Sequence, residues 1–149
     1  MINTWCDITG STFTIQEIVE KINGTHEIHV GSDSQLVTGQ WRVATVICIY
    51  SPGKGGIYFF SKRTEKKDIF KNLEERLLSE VFESLQTANA LRDIKEMKIC
   101  VHADVNSDSS ARSQKAMNRV ISYVNAMGYE CLVKPKAWAS TTIADKHTR

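Results

Sequence analysis

Two β-prone stretches in this chain each end on an aspartate. One runs His26-Glu27-Ile28-His29-Val30-Gly31-Ser32-Asp33, the other Met97-Lys98-Ile99-Cys100-Val101-His102-Ala103-Asp104. Side chains alternate across a strand. Ile28 and Val30 therefore face one side of the first stretch, and His29, Gly31 and Asp33 the other. Ile99, Val101 and Ala103 face one side of the second, and Cys100, His102, Asp104 and Asn106 the other. If the two strands are neighbours, two carboxylates meet at one sheet edge, each on a face shared with a histidine of its own strand. Glu80 and Asp145 are further acids that could complete such a set.

The remaining pattern surrounds these strands with alternating elements. Thr14-Ile15-Gln16-Glu17 has the form of a capping box, with Ile15, Ile18, Val19 and Ile22 at helical spacing, so a short helix ending near Gly24 is expected. The first strand covers about 26–34, and a turn at Thr38-Gly39 leads to a second at about 41–50. Ser51 to Gly56 forms a turn into a third strand, Ile57 to Lys62, which makes an antiparallel hairpin. That turn lacks the GxxxxGK[ST] pattern of a phosphate loop. A long helix is expected over about 67–91, with Phe70, Leu73, Leu77, Val81, Leu85 and Ala88 on one face. The fourth strand covers about 97–105 and the loop Asn106 to Ser110 follows. A helix at about 112–127 buries Ala116, Met117, Val120, Ile121 and Val124 and stops at Gly128. Tyr129 to Val133 is the fifth strand. Ser140 or Thr141 caps a last short helix that carries Ala144 and Asp145. The expectation is an α/β fold: a mixed five-stranded sheet, an antiparallel hairpin plus parallel strands, flanked by helices.

At 149 residues and 42% hydrophobic, the chain suits a single domain, 1–149, with its own core. No apolar run reaches the roughly 18 residues of a membrane span, and the first residues lack a signal-peptide pattern. A cytoplasmic protein without membrane association is expected. The four cysteines show no CxxC spacing, so buried reduced thiols are expected rather than zinc ligands. The formal charge is only +2, but from Arg112 onward seven basic residues face only Glu130 and Asp145. A basic surface around a lone aspartate suits a phosphate backbone, although a solvated helix face gives the same pattern.

The long helix brings acids of its own. At about 100° per residue and with Leu77 at the centre of the buried face, Glu80 lies about 60° to one side and Glu74 about 60° to the other. Both border the buried face, which the long helix is expected to lay over the histidine–aspartate side of the sheet, and geometry does not choose between them. Two bare carboxylates about 4 Å apart repel by about 4 kcal/mol at an effective dielectric near 20, so a cluster of three or four calls for a cation. Oxygen-only ligands suit Mg²⁺ or Mn²⁺, and two such ions can serve phosphodiester cleavage.

The order of elements resembles the ribonuclease H-like fold. The chain is similar, more narrowly, to the YkuK-type ribonuclease H-like family. The match rests on Gly31-Ser32-Asp33-Ser34-Gln35, Glu80 with Ser84-Leu85, His102-Ala103-Asp104-Val105-Asn106, Lys134-Pro135 and Ala144-Asp145, which together span nearly the whole chain. The resemblance implies acids on the first strand, the long helix, the end of the fourth strand and the last helix. Those places hold Asp33, Glu80, Asp104 and Asp145, and the interval from Glu80 to Asp104 favours Glu80 over Glu74. It implies a metal-dependent nuclease that hydrolyses phosphodiester bonds with Mg²⁺ or Mn²⁺ and takes nucleic acid (RNA, DNA or hybrid) as partner. Asp145, four residues from the last residue, is expected to be its most loosely held ligand.

Other residues divide between function and packing. Lys134, Lys136, Asn106 and Ser34 are candidate substrate contacts. His29 and His102 suit a proton-handling role or, more simply, a packed structural one. His147 lies about 200° around a helix from Asp145, which argues against a shared role. Trp5, Trp41 and Trp138 are candidate stacking platforms for bases, with core packing the simpler reading. The alternative function is a non-catalytic module that binds nucleic acid or protein. Two-domain sugar-kinase and actin-like ATPases would need about twice this length and a phosphate loop.

Overall fold

The computed structural model describes residues 4–105 and 111–149, with the backbone alone at 111–113. In chain order the elements are β1 (Trp5–Cys6), β2 (Thr12–Phe13), α1 (Ile15–Val19), β3 (Glu27–Val37), β4 (Gln40–Ser51), β5 (Gly55–Lys66), α2 (Leu73–Ile94), β6 (Ile99–Ala103), α3 (Ala111–Ala126), β7 (Glu130–Val133) and α4, a π-helical segment at Ala139–Ala144. The described strands form one sheet in the order β2-β1-β5-β4-β3-β6-β7. β3, β4 and β5 pair antiparallel, while β6 joins β3 and β7 joins β6 in parallel.

This is the expected mixed α/β sheet with seven strands instead of five. The two additional strands, β1 and β2, are two residues long, too short for alternation to register in the sequence. They pair with each other and attach to β5 through Cys6 and Phe60. The capping box forms as read: Glu17 N–H donates to Thr14 Oγ1 at 3.2 Å and Thr14 N–H to Glu17 Oε1 at 3.0 Å. Thr38 and Gly39 both take positive φ, 48° and 80°, which suits the tight two-residue link between β3 and β4. α2 starts at Leu73, later than expected, because Asn72 caps it by accepting from Glu75 N–H at 2.8 Å. Phe70 is thereby left outside the helix, edge-on to Trp41, and Leu73 is exposed.

The two sheet faces are covered differently. Ile28, Val30, Ile99 and Val101 pack beneath Val81, Leu85, Ala88 and Leu91 of α2 and Val120 and Val124 of α3. Ala44, Val46 and Cys48 of β4 pack against Ala139 and Ala144 of α4 on the other face. The long helix therefore lies over the aliphatic side of β3 and β6, not over the histidine–aspartate side. Only the aliphatic side offers a continuous apolar surface to the α2 stripe. α4 also differs from the reading that Ser140 or Thr141 would cap it. It begins at Trp138 without a side-chain cap, and those hydroxyls donate to the carbonyls of His102 and Ala137. All four cysteines are free, with Cys48 and Cys100 buried. No described helix is long and apolar enough to cross a membrane.

Candidate metal centre

The strand that carries Asp33 and the strand that leads into Asp104 are neighbours. β3 and β6 pair in parallel from Ile28↔Ile99 to Gly31↔His102. Continuing that register sets Asp33 level with Asp104. β6 ends at Ala103 while β3 runs on to Val37. The sheet thus opens just where the carboxylates stand, and an acid from the α2 side can reach through the gap.

Glu80 is that acid. It is 3% exposed, and Ser34 Oγ donates a short hydrogen bond to its Oε2. The Arg76 guanidinium, one helical turn earlier, lies 3.4 Å from the same oxygen and donates to Ser34 Oγ and Ser34 O at 2.9 and 2.8 Å. Glu74 points elsewhere and pairs with Arg119 at 2.8 Å. The choice that helix angles left open falls to Glu80.

One ligand oxygen each from Asp33, Glu80 and Asp104 lies within 4.8 Å of the other two. Glu80 Oε1 and Asp104 Oδ1 are buried without an aligned hydrogen-bond donor among the described residues. Burial, the Glu80 charge and hydrogen bonding with Asp145 push the Asp33 carboxyl up to about 8. Burial raises Glu80 to about 7 against the opposing pull of Ser34 and Arg76. Buried carboxylate oxygens without an aligned donor, beside two acids that resist ionisation, are the ligand set that a hard cation satisfies.

Asp145 comes from the end of α4 and lines the same opening, a shallow hollow of about 240 Å³, with Asp33, Asp104, Lys134 and Arg76. It is better held than the sequence suggested. Gly31 lets α4 approach β3: a Cβ there would stand 2.8 Å from Ser140 N and Oγ. Ala139 N–H donates to His102 Nδ1 at 3.0 Å, and Ser140 Oγ donates to His102 O at 3.1 Å. Beyond α4, the fully buried Thr148 donates to Gln35 Oε1 at 3.1 Å, and His147 stacks on Phe60 at 3.8 Å between ring centroids. Arg149 reaches back to Asp145 Oδ2 at 2.7 Å.

These contacts also settle the histidines. His102 accepts at Nδ1, and burial followed by the neighbouring His29 lowers its pKa to about 3, so the neutral ring carries its proton on Nε2. That proton goes to His29 Nδ1, 2.8 Å away, and His29 Nε2–H goes on to Glu27 Oε1 at 3.1 Å. Trp138 packs on both rings, at 4.7 and 4.8 Å between centroids. The packed structural reading of His29 and His102 holds. Cys100 brings its sulfur near both rings, but the His102 Nε2 that would face an ion there carries a proton. Trp5 is likewise buried core, and Trp41 packs on Phe70 and under Arg76.

The candidate substrate contacts divide. Lys134 lines the opening, its Nζ 2.7 Å from Asp104 Oδ1 in an ion pair without hydrogen-bond alignment. Lys136 is exposed and does not line it. Ser34 is 2% exposed with its hydroxyl committed to Glu80, so it positions an acid rather than meeting a substrate. Asn106 lies outside the described residues. Arg76, Gln35 and Thr141 also line the opening, a place the sequence does not assign to them. Arg76 had one readable signal, its four-residue spacing from Glu80. A larger cavity of about 630 Å³ lies between the β1–β2 arm and α2 and touches none of the four carboxylates.

Comparison with known proteins adds family membership to this geometry. No curated protein matches the chain. Among solved structures, RNase H1 from the halophilic archaeon Halobacterium salinarum aligns at 15% identity, covering 81% of this chain and 98% of that one, with a TM-score of 0.41. An N-terminal RNase H domain from Mycobacterium tuberculosis, solved as a fusion with maltose-binding protein, aligns at 9% identity over 83% and 94% of the two chains, with a TM-score of 0.38. The family model described as Ribonuclease H-like matches residues 12–149, all but the first few residues, and this chain belongs to that family.

Proposed function

We propose that this protein is a divalent-metal-dependent nuclease that hydrolyses phosphodiester bonds at the Asp33–Glu80–Asp104 opening. The observation that carries this reading is the convergence of three carboxylates within 4.8 Å, with two of their buried oxygens lacking aligned donors. Asp33, Glu80, Asp104 and Asp145 would hold Mg²⁺ or Mn²⁺, which when bound supplies an acidified water and a counter-charge for the leaving oxygen. The chain's own residues divide the remaining work. Asp33 holds from within β3 and Asp104 from just past the end of β6. Glu80, fixed at Oε2 by Ser34 and Arg76, keeps Oε1 free to orient the attacking water. Asp145 closes the α4 side, and Lys134 reaches the non-bridging oxygens of the substrate phosphate.

The test is cleavage of labelled hybrid, single-stranded and branched substrates with and without Mn²⁺. Metal-dependent cleavage that Asp33→Asn abolishes supports the reading. Full cleavage by Asp33→Asn sinks the mechanism. Salt-sensitive retention of nucleic acid without hydrolysis in any arm points to the non-catalytic binding module.

A further inference from the structure

The sheet face that carries α4 is not wholly covered by it. The β4–β5 register is unbroken from Gln40↔Lys66 to Ser51↔Gly55, so even-numbered residues of both strands share that face. On β5 they are Tyr58, Phe60, Lys62, Thr64 and Lys66, and on β4 they include Gln40, Arg42 and Ala44. Neither set contains an acid. The tail beyond α4 folds onto this strip: His147 stacks on Phe60 and its Nε2 lies 3.0 Å from the Tyr58 hydroxyl. The Lys62 ammonium sits 5.7 Å from the Phe60 ring centroid and the Lys146 ammonium 5.2 Å from that of Tyr58.

Charge separates the two faces of β5. On the α2 side, Arg63 is matched by Glu65 and by Glu83, the latter at 3.1 Å. On the α4 side, Lys62 and Lys146 are exposed, and neither forms an ion pair among the described residues. Unpaired ammonium groups beside a half-buried aromatic stack, with His147 laid over Phe60, suit a chain with phosphates to neutralise and flat bases to pack. The strip also leads to the carboxylates. Asp33 pairs with Ala44 and Ala44 with Lys62, one row across three strands. At about 4.8 Å per strand, Lys62 stands about 10 Å from Asp33, roughly three stacked nucleotides of about 3.4 Å each. α4 packs on β4 beside this strip, so the uncovered basic residues follow β5 in a single line, an arrangement that suits one polynucleotide strand.

We propose that Lys62, Phe60, His147 and Lys146 form a docking track for single-stranded nucleic acid that continues from the carboxylate opening. The placement of the scissile phosphate at that opening rests on the nuclease reading above, while the track itself is tested without cleavage. Fluorescence anisotropy in EDTA would titrate a labelled single-stranded 12-mer against the wild type, Lys62→Glu/Lys146→Glu, and a charge-matched control, Lys54→Glu/Lys98→Glu, at the opposite end of the sheet. All four lysines are exposed, so the fold tolerates the changes. The track variant should lose at least tenfold in affinity at low salt, with a log–log salt slope shallower by about 1.4 for two lost phosphate contacts. The control should stay within threefold of wild type, and Lys62→Arg/Lys146→Arg should restore binding. Equal affinity for the track variant and the control overturns the proposal. So does a blunt duplex or an anionic phospholipid vesicle that binds as tightly as the single strand and loses as much to the track variant. If Asp33→Asn retains full cleavage while the track variant loses binding, the nuclease mechanism fails and the track stands.

Discussion

Gly31 and Ser140 approach so closely that a Cβ on Gly31 would stand 2.8 Å from both the backbone nitrogen and Oγ of Ser140. The absent side chain is what lets α4 seat on β3 and bring Asp145 to the opening. Gly31→Ala must push backbone rather than a flexible side-chain tip, so it should cost about 1–3 kcal/mol by overpacking. Urea denaturation measures that loss. Cleavage by the same variant should fall to no more than the level left in Asp145→Asn. A Gly31→Ala protein with wild-type stability and activity would show that α4 yields without consequence.

Stability without metal should fall as pH rises from about 5 to 8. Asp33 and Glu80 ionise near pH 4 in an unfolded chain, but at about 8 and 7 in the fold, chiefly because they are buried. Across that window the folded state holds more protons than the unfolded one, so rising pH favours unfolding. His102 acts in the opposite sense below 6.5, because the unfolded ring takes up a proton there and the buried ring does not. The decline should therefore be clearest between pH 6.5 and 8. Thermal melts in EDTA at stepped pH would follow it. Mn²⁺ should flatten the profile by stabilising the ionised carboxylates, and Asp33→Asn should flatten it without metal. A melting temperature that climbs through this window in EDTA contradicts the assignment.

Much of this carboxylate cluster is legible in the sequence, and the limits have physical causes. Alternation placed Asp33 and Asp104 on matching faces, and the parallel β3–β6 register makes them level. The Thr14–Glu17 capping box needs only local hydrogen bonds and formed as read. The side of the sheet under α2 is not legible, because strand parity gives two faces without saying which one a helix will bury. Glu80 and Glu74 were equivalent by angle, and a tertiary partner, Arg119, separated them. The seating of Asp145 depends on Gly31, His102 and Thr148, contacts made between residues distant in sequence, for which no local pattern exists.

The two helix acids should separate cleanly in metal binding. Glu74 forms a partly exposed pair with Arg119, so Glu74→Gln should cost about 0–1 kcal/mol of stability and leave Mn²⁺ affinity unchanged. Glu80→Gln keeps the shape of a buried side chain while removing its charge. It should leave the metal-free protein at pH 8 as stable as wild type or more so, and weaken Mn²⁺ binding by at least tenfold. Calorimetric titration with Mn²⁺ and melts in EDTA supply both readouts. Equal metal affinity in the two variants would remove Glu80 from the centre.

Lys134 should act in two opposite directions. Its ammonium stands 2.7 Å from Asp104 Oδ1, so in the metal-free protein it offsets part of the carboxylate charge and competes for an oxygen that a cation would use. Replacing it with methionine keeps most of the side-chain bulk and deletes the charge. Metal-free stability at pH 8 should drop, because Asp104 loses the cation paired with it and the carboxylate group keeps only Arg76, on the Glu80 side. Mn²⁺ affinity should rise by about tenfold, or about 1.4 kcal/mol. That is well below the roughly 4 kcal/mol exchanged by unit charges 4 Å apart at an effective dielectric of 20, because Lys134 is 40% exposed and partly screened. Nucleic-acid affinity should fall in the same variant, since the lost ammonium is also a phosphate contact. Calorimetry with Mn²⁺ and anisotropy with an oligonucleotide should thus move in opposite directions. Lys134→Met weakening both would mean that the lysine organises the opening rather than competing within it.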